Sequence, residues 1–567
     1  MYSRVVLSCT LAGALAGLSG CTDVISSSQI SADSAVRSRE NATQVVGGED
    51  PHRPDEGMSR KLARQIHGFG GFSYDSLGNI HVFLKDHRDE RALAAAGHAL
   101  NPLLSDWSTS ARMRHSANAK VLVHQAQFTF DELRSWRDRL TDPLLTLDGV
   151  TFVDLDEPRN RLTIGLDPMQ ASVARSQVMS ILGGMRVPEE AVALELFSPF
   201  VVKPVMCVPE DPACEEPCSV DSVDPSCTDP CAVNPDDPSC TPDPCTADST
   251  DPACVPNDPC AINPGDPACS ITPGDTSYSI VMPPDGYYGG ARTLRERIRP
   301  VKGGTEIWYE FRDKDGANRV GVCSMGFAAK AYGSIPVWVT ASHCTGLIGV
   351  SQNISFFQGP FEFGKAGLYV GYEYADPGFG SNNGYTQKTL FGSCWDRVKC
   401  RRSDIALIRA ANTSDWQLNY IARPDYGVTG YGIKGSTFLS ERYPPLRINL
   451  ELGAPRLYSQ VDKIGRSSGW TYGTVTKTCL DTRYVGLSYD PNPTNIVIRC
   501  QSYVDGAHAE GGDSGSPVFI LKSGSLVTLL GILWAANNQG FVFSSLDLIR
   551  LDLGYATGDR SSFQTYR

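Results

Sequence analysis

Across residues 207–275 the chain carries ten cysteines and fifteen Asp or Glu, with no Lys or Arg. Units such as Pro230-Cys231-Ala232-Val233-Asn234-Pro235-Asp236-Asp237-Pro238-Ser239-Cys240 recur. A segment this polar buries too little apolar surface to offset the entropy of ordering its backbone. It therefore divides the 567 residues into parts that must build their cores on either side of it. The pairs Cys218/Cys227, Cys231/Cys240, Cys245/Cys254 and Cys260/Cys269 share one spacing, and Cys207/Cys214 is a shorter version. One local loop per unit is the simplest pairing. Asp-Pro steps and like charge keep the units extended and apart. Residues 204–275 thus read as a stapled Cys/Asp/Pro-rich stalk. Its aspartates make calcium a candidate partner, although no complete ligand loop is present.

The stalk also accounts for the charge. The chain has 51 basic and 63 acidic residues, net −12. Without the fifteen stalk acids the balance is 51 − 48, or +3. No basic excess remains to support a nucleic-acid partner. Eighteen cysteines indicate an oxidising compartment. The absence of any Cys-x-x-Cys pair argues against zinc, and no cofactor motif is present. The start of the chain agrees with export: Arg4 precedes an apolar run over residues 5–18 that is too short to span a membrane as a mature helix. Leu18-Ser19-Gly20-Cys21 resembles the lipobox of bacterial lipoproteins. That resemblance implies a signal peptide at 1–20, acylation of Cys21 and a lipid anchor in the membrane. A conventional signal peptide ending near a cysteine is the alternative. With Thr22 after the cysteine, the expected location is the outer membrane of the cell envelope, or outside the cell after release. Residues 21–58, rich in Ser, Asp and Arg, read as a disordered tether.

Residues 59–203 read as an α+β unit. Phe72 and Tyr74, a turn at 75–79, then Ile80, Val82 and Leu84 predict a hairpin. Thr129-Phe130-Asp131-Glu132 is a capping box, with Leu133, Trp136 and Leu140 following at helical spacing. Residues 152–166, turning at 156–160, predict a second hairpin. Asp167-Pro168 predicts a helix carrying Met169, Val173, Ile181 and Leu182 and closed by Gly183-Gly184. His81, His98, His115 and His124 are scattered, with no catalytic cluster. Placed before the next unit, this one suits a pro-region that assists folding or blocks a site. A binding module is the alternative.

Residues 276–567 alternate short strands with Gly, Pro, Asn and Asp turns and read as mainly β. Three stretches stand out. Val337-Trp338-Val339-Thr340-Ala341-Ser342-His343-Cys344 is a strand ending at a histidine. Ser403-Asp404-Ile405-Ala406-Leu407-Ile408 heads another strand with a carboxylate. Gly511-Gly512-Asp513-Ser514-Gly515-Ser516-Pro517-Val518 presents a serine between glycines. A serine hydroxyl is a weak nucleophile and needs an adjacent base and donors for the oxyanion. The order His343, Asp404, Ser514 and these motifs resemble the trypsin-like serine proteases. Gly465-Arg466-Ser467-Ser468-Gly469-Trp470 is similar to a segment of the bacterial branch that includes alpha-lytic protease and the streptogrisins.

The resemblance implies two six-stranded antiparallel β-barrels and a serine endopeptidase acting on protein or peptide substrates through an acyl-enzyme. It implies His343 as base, Asp404 as its orienting carboxylate, Ser514 as nucleophile, and the N–H groups of Gly512 and Ser514 as oxyanion hole. Pairings Cys323–Cys344, Cys394–Cys400 and Cys479–Cys500 are the simplest local closures. Asp513 is expected to be buried and to need an internal basic partner, for which alignment of Gly465-Arg466 points to Lys463. His508, Leu533, Trp534 and Ala535 are candidate pocket residues; no Asp stands there to favour Lys or Arg substrates. Leu533 and Ala535 depart from the family's usual Ser-Trp-Gly. That departure keeps open a second reading, a weak or inactive protease-fold binding protein or adhesin. Maturation by self-cleavage between Cys269 and Cys323 is a further expectation.

Overall fold

The fold is that of a computed structural model, which describes residues 56–105, 119–202, 205–207, 292–312, 318–359, 369–379, 399–410, 412–484, 496–554 and 563–567. The segment expected as a signal peptide, with Cys21, the expected tether up to residue 55 and almost all of the expected stalk lie outside the described residues, as do Cys394 and His115; residues 57 and 58, expected in the tether, instead begin a helix, and Glu56 before them is buried.

Helices α1 (Gly57–Gln65), α2 (Glu90–Ser105), α3 (Phe130–Leu145) and α4 (Ala171–Gly184) belong to the N-terminal region, and α5 (Leu546–Asp552) closes the C-terminal one. The N-terminal strands are β1 (Phe69–Tyr74), β2 (Ile80–Leu84), β3 (Val121–Gln125), β4 (Val150–Asp156), β5 (Arg161–Leu166), β6 (Val192–Leu196) and β7 (Val205–Cys207). After the stalk come β8 (Val301–Gly303), β9 (Glu306–Arg312), β10 (Asn318–Ser324), β11 (Ala328–Ala331), β12 (Ile335–Thr340), β13 (Ser355–Phe357), β14 (Tyr369–Ala375), β15 (Lys399–Arg401) and β16 (Ala406–Ala410). The remaining strands are β17 (Trp416–Ile421), β18 (Leu446–Glu451), β19 (Gln460–Gly465), β20 (Gly469–Tyr484), β21 (Ile496–Asp505), β22 (Pro517–Leu521), β23 (Leu526–Ala536), β24 (Gly540–Ser545) and β25 (Gln564–Thr565).

The N-terminal elements form for local reasons. Asp75 Oδ1 accepts the N–H of Leu77 and of Asn79, each at 2.9 Å, and closes the β1–β2 hairpin. Thr129 caps α3 and Glu132 reaches back to the Thr129 N–H, a reciprocal pair that satisfies two helix-start donors. From α3, Leu133 and Leu140 enter the core, and Trp136 meets Phe128 edge-on. In α4 the inward face is Ala174, Val178 and Leu182. Met169 and Val173, expected on that face, are 89% and 62% exposed: the helix starts at Ala171, so its apolar stripe is offset from the one counted from Pro168.

After the stalk the chain is mainly β. β19, β20, β21, β24, β23 and β22 pair antiparallel in a closed ring of six. The other half is an open path, β25-β11-β12-β16-β14-β13-β9-β10-β7. Among the described residues the pairings thus close one ring of six, and the second expected barrel is represented by this longer path. The nine-stranded path is lengthened at one end by β25 and at the other by β7, which comes from the first residues of the Cys/Asp/Pro-rich segment.

The N-terminal elements share more than that one strand. β4 pairs with β20 through Asp481↔Val153 and Thr482↔Phe152, so β4, β5 and β6 continue the sheet of the ring. Thr482 Oγ1 donates to the Thr151 carbonyl at 2.8 Å. Arg499 bridges Asp142 of α3 and Asp481 of β20. Phe152, Phe197, Phe200 and Tyr503 form one aromatic cluster, with centroids 4.9–5.5 Å apart along the chain of contacts. The principal core counts Phe152, Phe197 and Phe200 among the residues of the C-terminal half.

Candidate active site

β12 runs apolar and buried into the turn Ser342–Thr345, which carries His343. Asp404 lies just before β16, the neighbour of β12. Both side chains are fully buried. His343 Nδ1 and Asp404 Oδ2 are 2.6 Å apart, and Asp404 Oδ1 accepts the His343 backbone N–H at 3.1 Å. The ring therefore donates from Nδ1, leaving Nε2 as the acceptor. Among the described residues Nε2 is buried and has no hydrogen-bond partner, so it is free to accept a proton.

Ser514 is carried on the turn between β21 and β22. Its carbonyl accepts the Ser324 N–H at 2.8 Å, and Cys344 Sγ lies 3.9 Å from the same oxygen. These contacts tie the serine loop to the histidine strand pair. Ser514 Oγ lies 3.5 Å from the Trp534 carbonyl, so the Ser514–His343 hydrogen bond is not formed here. Such bonds often close only with substrate present. Gly512 and Gly515 have φ of +89° and +87°. A Cβ at Gly512 would stand 2.6 Å from Ser467 Oγ, and one at Gly515 2.3 Å from the Ser324 carbonyl. Only glycine fits either place. The N–H groups of Gly512 and Ser514 have no acceptor among the described residues, as free oxyanion donors require.

Asp513 is buried and turned away from the cleft. It accepts Lys463 Nζ at 2.9 Å, Ser468 Oγ at 2.5 Å, and the N–H groups of Ser467, Ser468 and Glu510 at 2.9–3.1 Å. Burial alone would raise its pKa; Lys463 and these donors hold the carboxyl below the usual range. The Gly465-Arg466-Ser467-Ser468-Gly469 turn is thus the seat of the loop that carries Ser514.

Two of the expected disulfides are present, Cys323–Cys344 beside the histidine and Cys479–Cys500 between β20 and β21. Cys400 is also disulfide-bonded. Because Cys323 and Cys344 are joined, their grouping with His343 is not a metal site.

Beside Ser514 lies a cleft of about 730 Å³, lined among others by His508, Glu510, Leu533 and Ala535. His508 Nε2 is 3.1 Å from Glu510 Oε1, and Glu510 Oε2 is 2.8 Å from Lys434. Trp534 is placed otherwise than expected: its indole is buried and donates to Gln501 at 2.8 Å. Alternation along β23 sends it to the far face from its neighbours. Two supports had no sequence motif. Arg401 bonds both Ser342 Oγ and Asp376, at 2.8 and 3.0 Å, behind the histidine turn. Ser544 Oγ accepts the Asp404 N–H at 3.2 Å.

No family model and no curated protein matches the chain. Among solved structures it is similar to Thermobifida fusca protease A, at 17% identity and TM-score 0.25, covering 43% of this chain and 91% of that one. It is also similar to the Cellulomonas bogoriensis chymotrypsin, at 18% and 0.25, covering 45% and 97%. The Nocardiopsis protease gives 18% and 0.24, covering 43% and 91%.

Proposed function

We propose that the C-terminal half is a serine endopeptidase working through a Ser514–His343–Asp404 triad. One observation supports it above the rest: a buried histidine, oriented by a buried carboxylate at 2.6 Å, keeps an unpartnered Nε2 beside a serine loop with two free N–H donors. Ser514 Oγ attacks the scissile carbonyl as His343 takes its proton. The N–H groups of Gly512 and Ser514 hold the oxyanion, and His343 returns the proton to the leaving amine. Water then hydrolyses the acyl-enzyme by the same proton path. The substrate is a protein or peptide in extended form. Export, with a lipid anchor at Cys21, belongs to the same proposal.

The test is covalent labelling with a fluorophosphonate. Wild-type chain should label at Ser514, and Ser514→Ala should stay unlabelled with an unchanged melting curve. A folded wild-type chain that fails to label favours the reading as a protease-fold binding protein.

A further inference from the structure

A second cavity, of about 240 Å³, lies where the N-terminal region meets the ring of six strands. On one side its walls include Met58, Phe72, Tyr74, Asp154 and Glu157; on the other they include Leu457 and, from β20, Thr476 and Thr478. It shares no lining residue with the cleft beside Ser514.

Four carboxylates line this cavity, and they differ in how they are answered. Glu56 is held by both terminal nitrogens of Arg137. Asp156 accepts the Thr163 hydroxyl at 2.9 Å and has Arg159 at 3.5 Å. Glu157 accepts from neutral donors, the Ser59 hydroxyl and the Phe72 N–H, each at 2.7 Å. Asp154 is 4% exposed, and its Oδ1 is buried with no hydrogen-bond partner among the described residues. The cations of the lining are turned to other groups. Lys477 Nζ stands 3.3 Å from Glu195 Oε2 and over the Phe152 ring. The Arg456 guanidinium lies over the Tyr74 ring, 5.4 Å from its centroid.

A buried carboxylate is costly without a cation beside it, so Asp154 and Glu157 offer counter-charge to a ligand. A metal ion does not match them. It needs several oxygens at once, and among the described residues no three of these carboxylates bring their oxygens within 4.8 Å of one another. Met58, Leu457, Phe72 and Tyr74 instead supply apolar and aromatic wall beside the charges. That combination suits a cationic head on an apolar stem.

We propose that this cavity binds a small organic cation, an alkylammonium or alkylguanidinium, with Asp154 and Glu157 as its counter-charges and both halves of the chain in contact with it. The site stands apart from the peptidase reading, since none of its residues belongs to the triad or the loop that carries Ser514. The cation favours ionised carboxyls. Burial pushes Asp154 and Glu157 each up to about 7; Asp156 raises both and Asp481 raises Asp154, while Arg137 lowers both and Lys477 lowers Asp154. Binding is therefore strongest above that pH and weakens below it, as protons must leave first.

Isothermal titration of the full chain with butylguanidinium chloride at pH 8 tests this. One site per chain is expected, and butylurea, the uncharged isostere, should bind more weakly by about tenfold or more. Asp154→Asn removes the charge at nearly constant size. Met58→Arg adds a guanidinium of the chain's own on the cavity wall, at a position 38% exposed. Each variant should weaken binding by about tenfold or more, while Ser514 labels with fluorophosphonate as in wild type. Between pH 8 and pH 6 the wild-type affinity should fall, with protons released on binding, and Asp154→Asn should show a smaller fall. N-acetylarginine amide carries the same head on a peptide backbone. Binding at least as tight as butylguanidinium points to a basic side chain of a peptide as the natural ligand, and weaker binding to a free amine or guanidine. Equal binding of butylurea, unchanged binding in both folded variants, or no binding at millimolar concentration overturns the proposal. Failure of Ser514 to label, with binding as expected, counts against the peptidase reading alone.

Discussion

Asp513 shows how one residue sets the geometry of the next. A buried carboxylate is costly unless its oxygens are fully paired, and its five donors come from Lys463, the 467–468 turn and Glu510. Its side chain is thereby fixed and Ser514 faces the opposite way. Lys463→Met leaves that charge unpaired. The expected cost is roughly 3–5 kcal/mol of stability, read by denaturant unfolding, with labelling of Ser514 sharply reduced in the fraction that stays folded. Full stability and full labelling would contradict the role assigned to the pair. Asp404→Asn keeps the size but alters which imidazole nitrogen carries the proton. Hydrolysis should fall by about 10⁴-fold with little loss of fold, measured as kcat on a synthetic peptide substrate.

At the scale of elements, the β4–β5 hairpin is the joint between the two regions. Asp154 is buried in it, and its Oδ1 has no partner. Burial pushes its carboxyl up to about 7; Lys477 and Arg137 lower it, while Asp156 and Asp481 raise it. The folded chain thus holds a proton that the unfolded chain, with a carboxyl near 3.9, gives up. Stability contributed by the neutral acid is complete below about pH 4 and is lost as pH rises through about 7. The melting temperature of the full chain should fall across that window, and Asp154→Asn should flatten the fall. An identical slope in both proteins would remove Asp154 as its source. The Cys323–Cys344 bridge closes a separation of 21 residues and contributes roughly 3 kcal/mol. Its selective reduction should lower the melting temperature of the histidine side of the site first, followed as loss of Ser514 labelling on heating.

For the whole molecule, the shared core predicts one cooperative unit across the stalk. Phe152 lies before the stalk, yet it packs with Phe197 and carries Lys477 of β20 over its ring, 4.9 Å from the centroid. Phe152→Ala should therefore cost about 3–5 kcal/mol in both regions together, as a single shifted transition in calorimetry. Two transitions, with only the N-terminal one shifted, would show that the halves fold separately.

Local chemistry made much of this legible before any coordinates. The capping box at Thr129, the Asp75 turn, the hairpins and the glycines around Ser514 follow from short-range rules. So does the order His343, Asp404, Ser514, because those residues sit at strand ends with their own turn signals. Lys463 opposite Asp513 was reached by alignment with a known motif. What the sequence left open depended on contacts between distant segments. Nothing local in Phe197, Phe200 or Val201 says that they lie against Ala536 and Tyr503, since an edge strand accepts any extended partner through its backbone. Trp534 turned inward because of the pleat of β23, while its neighbours lined the cleft. The joining of β4 to β20 was hidden for the same reason: strand pairing across some 330 residues is selected by shape and burial in the folded state, and neither leaves a mark on a short window of sequence.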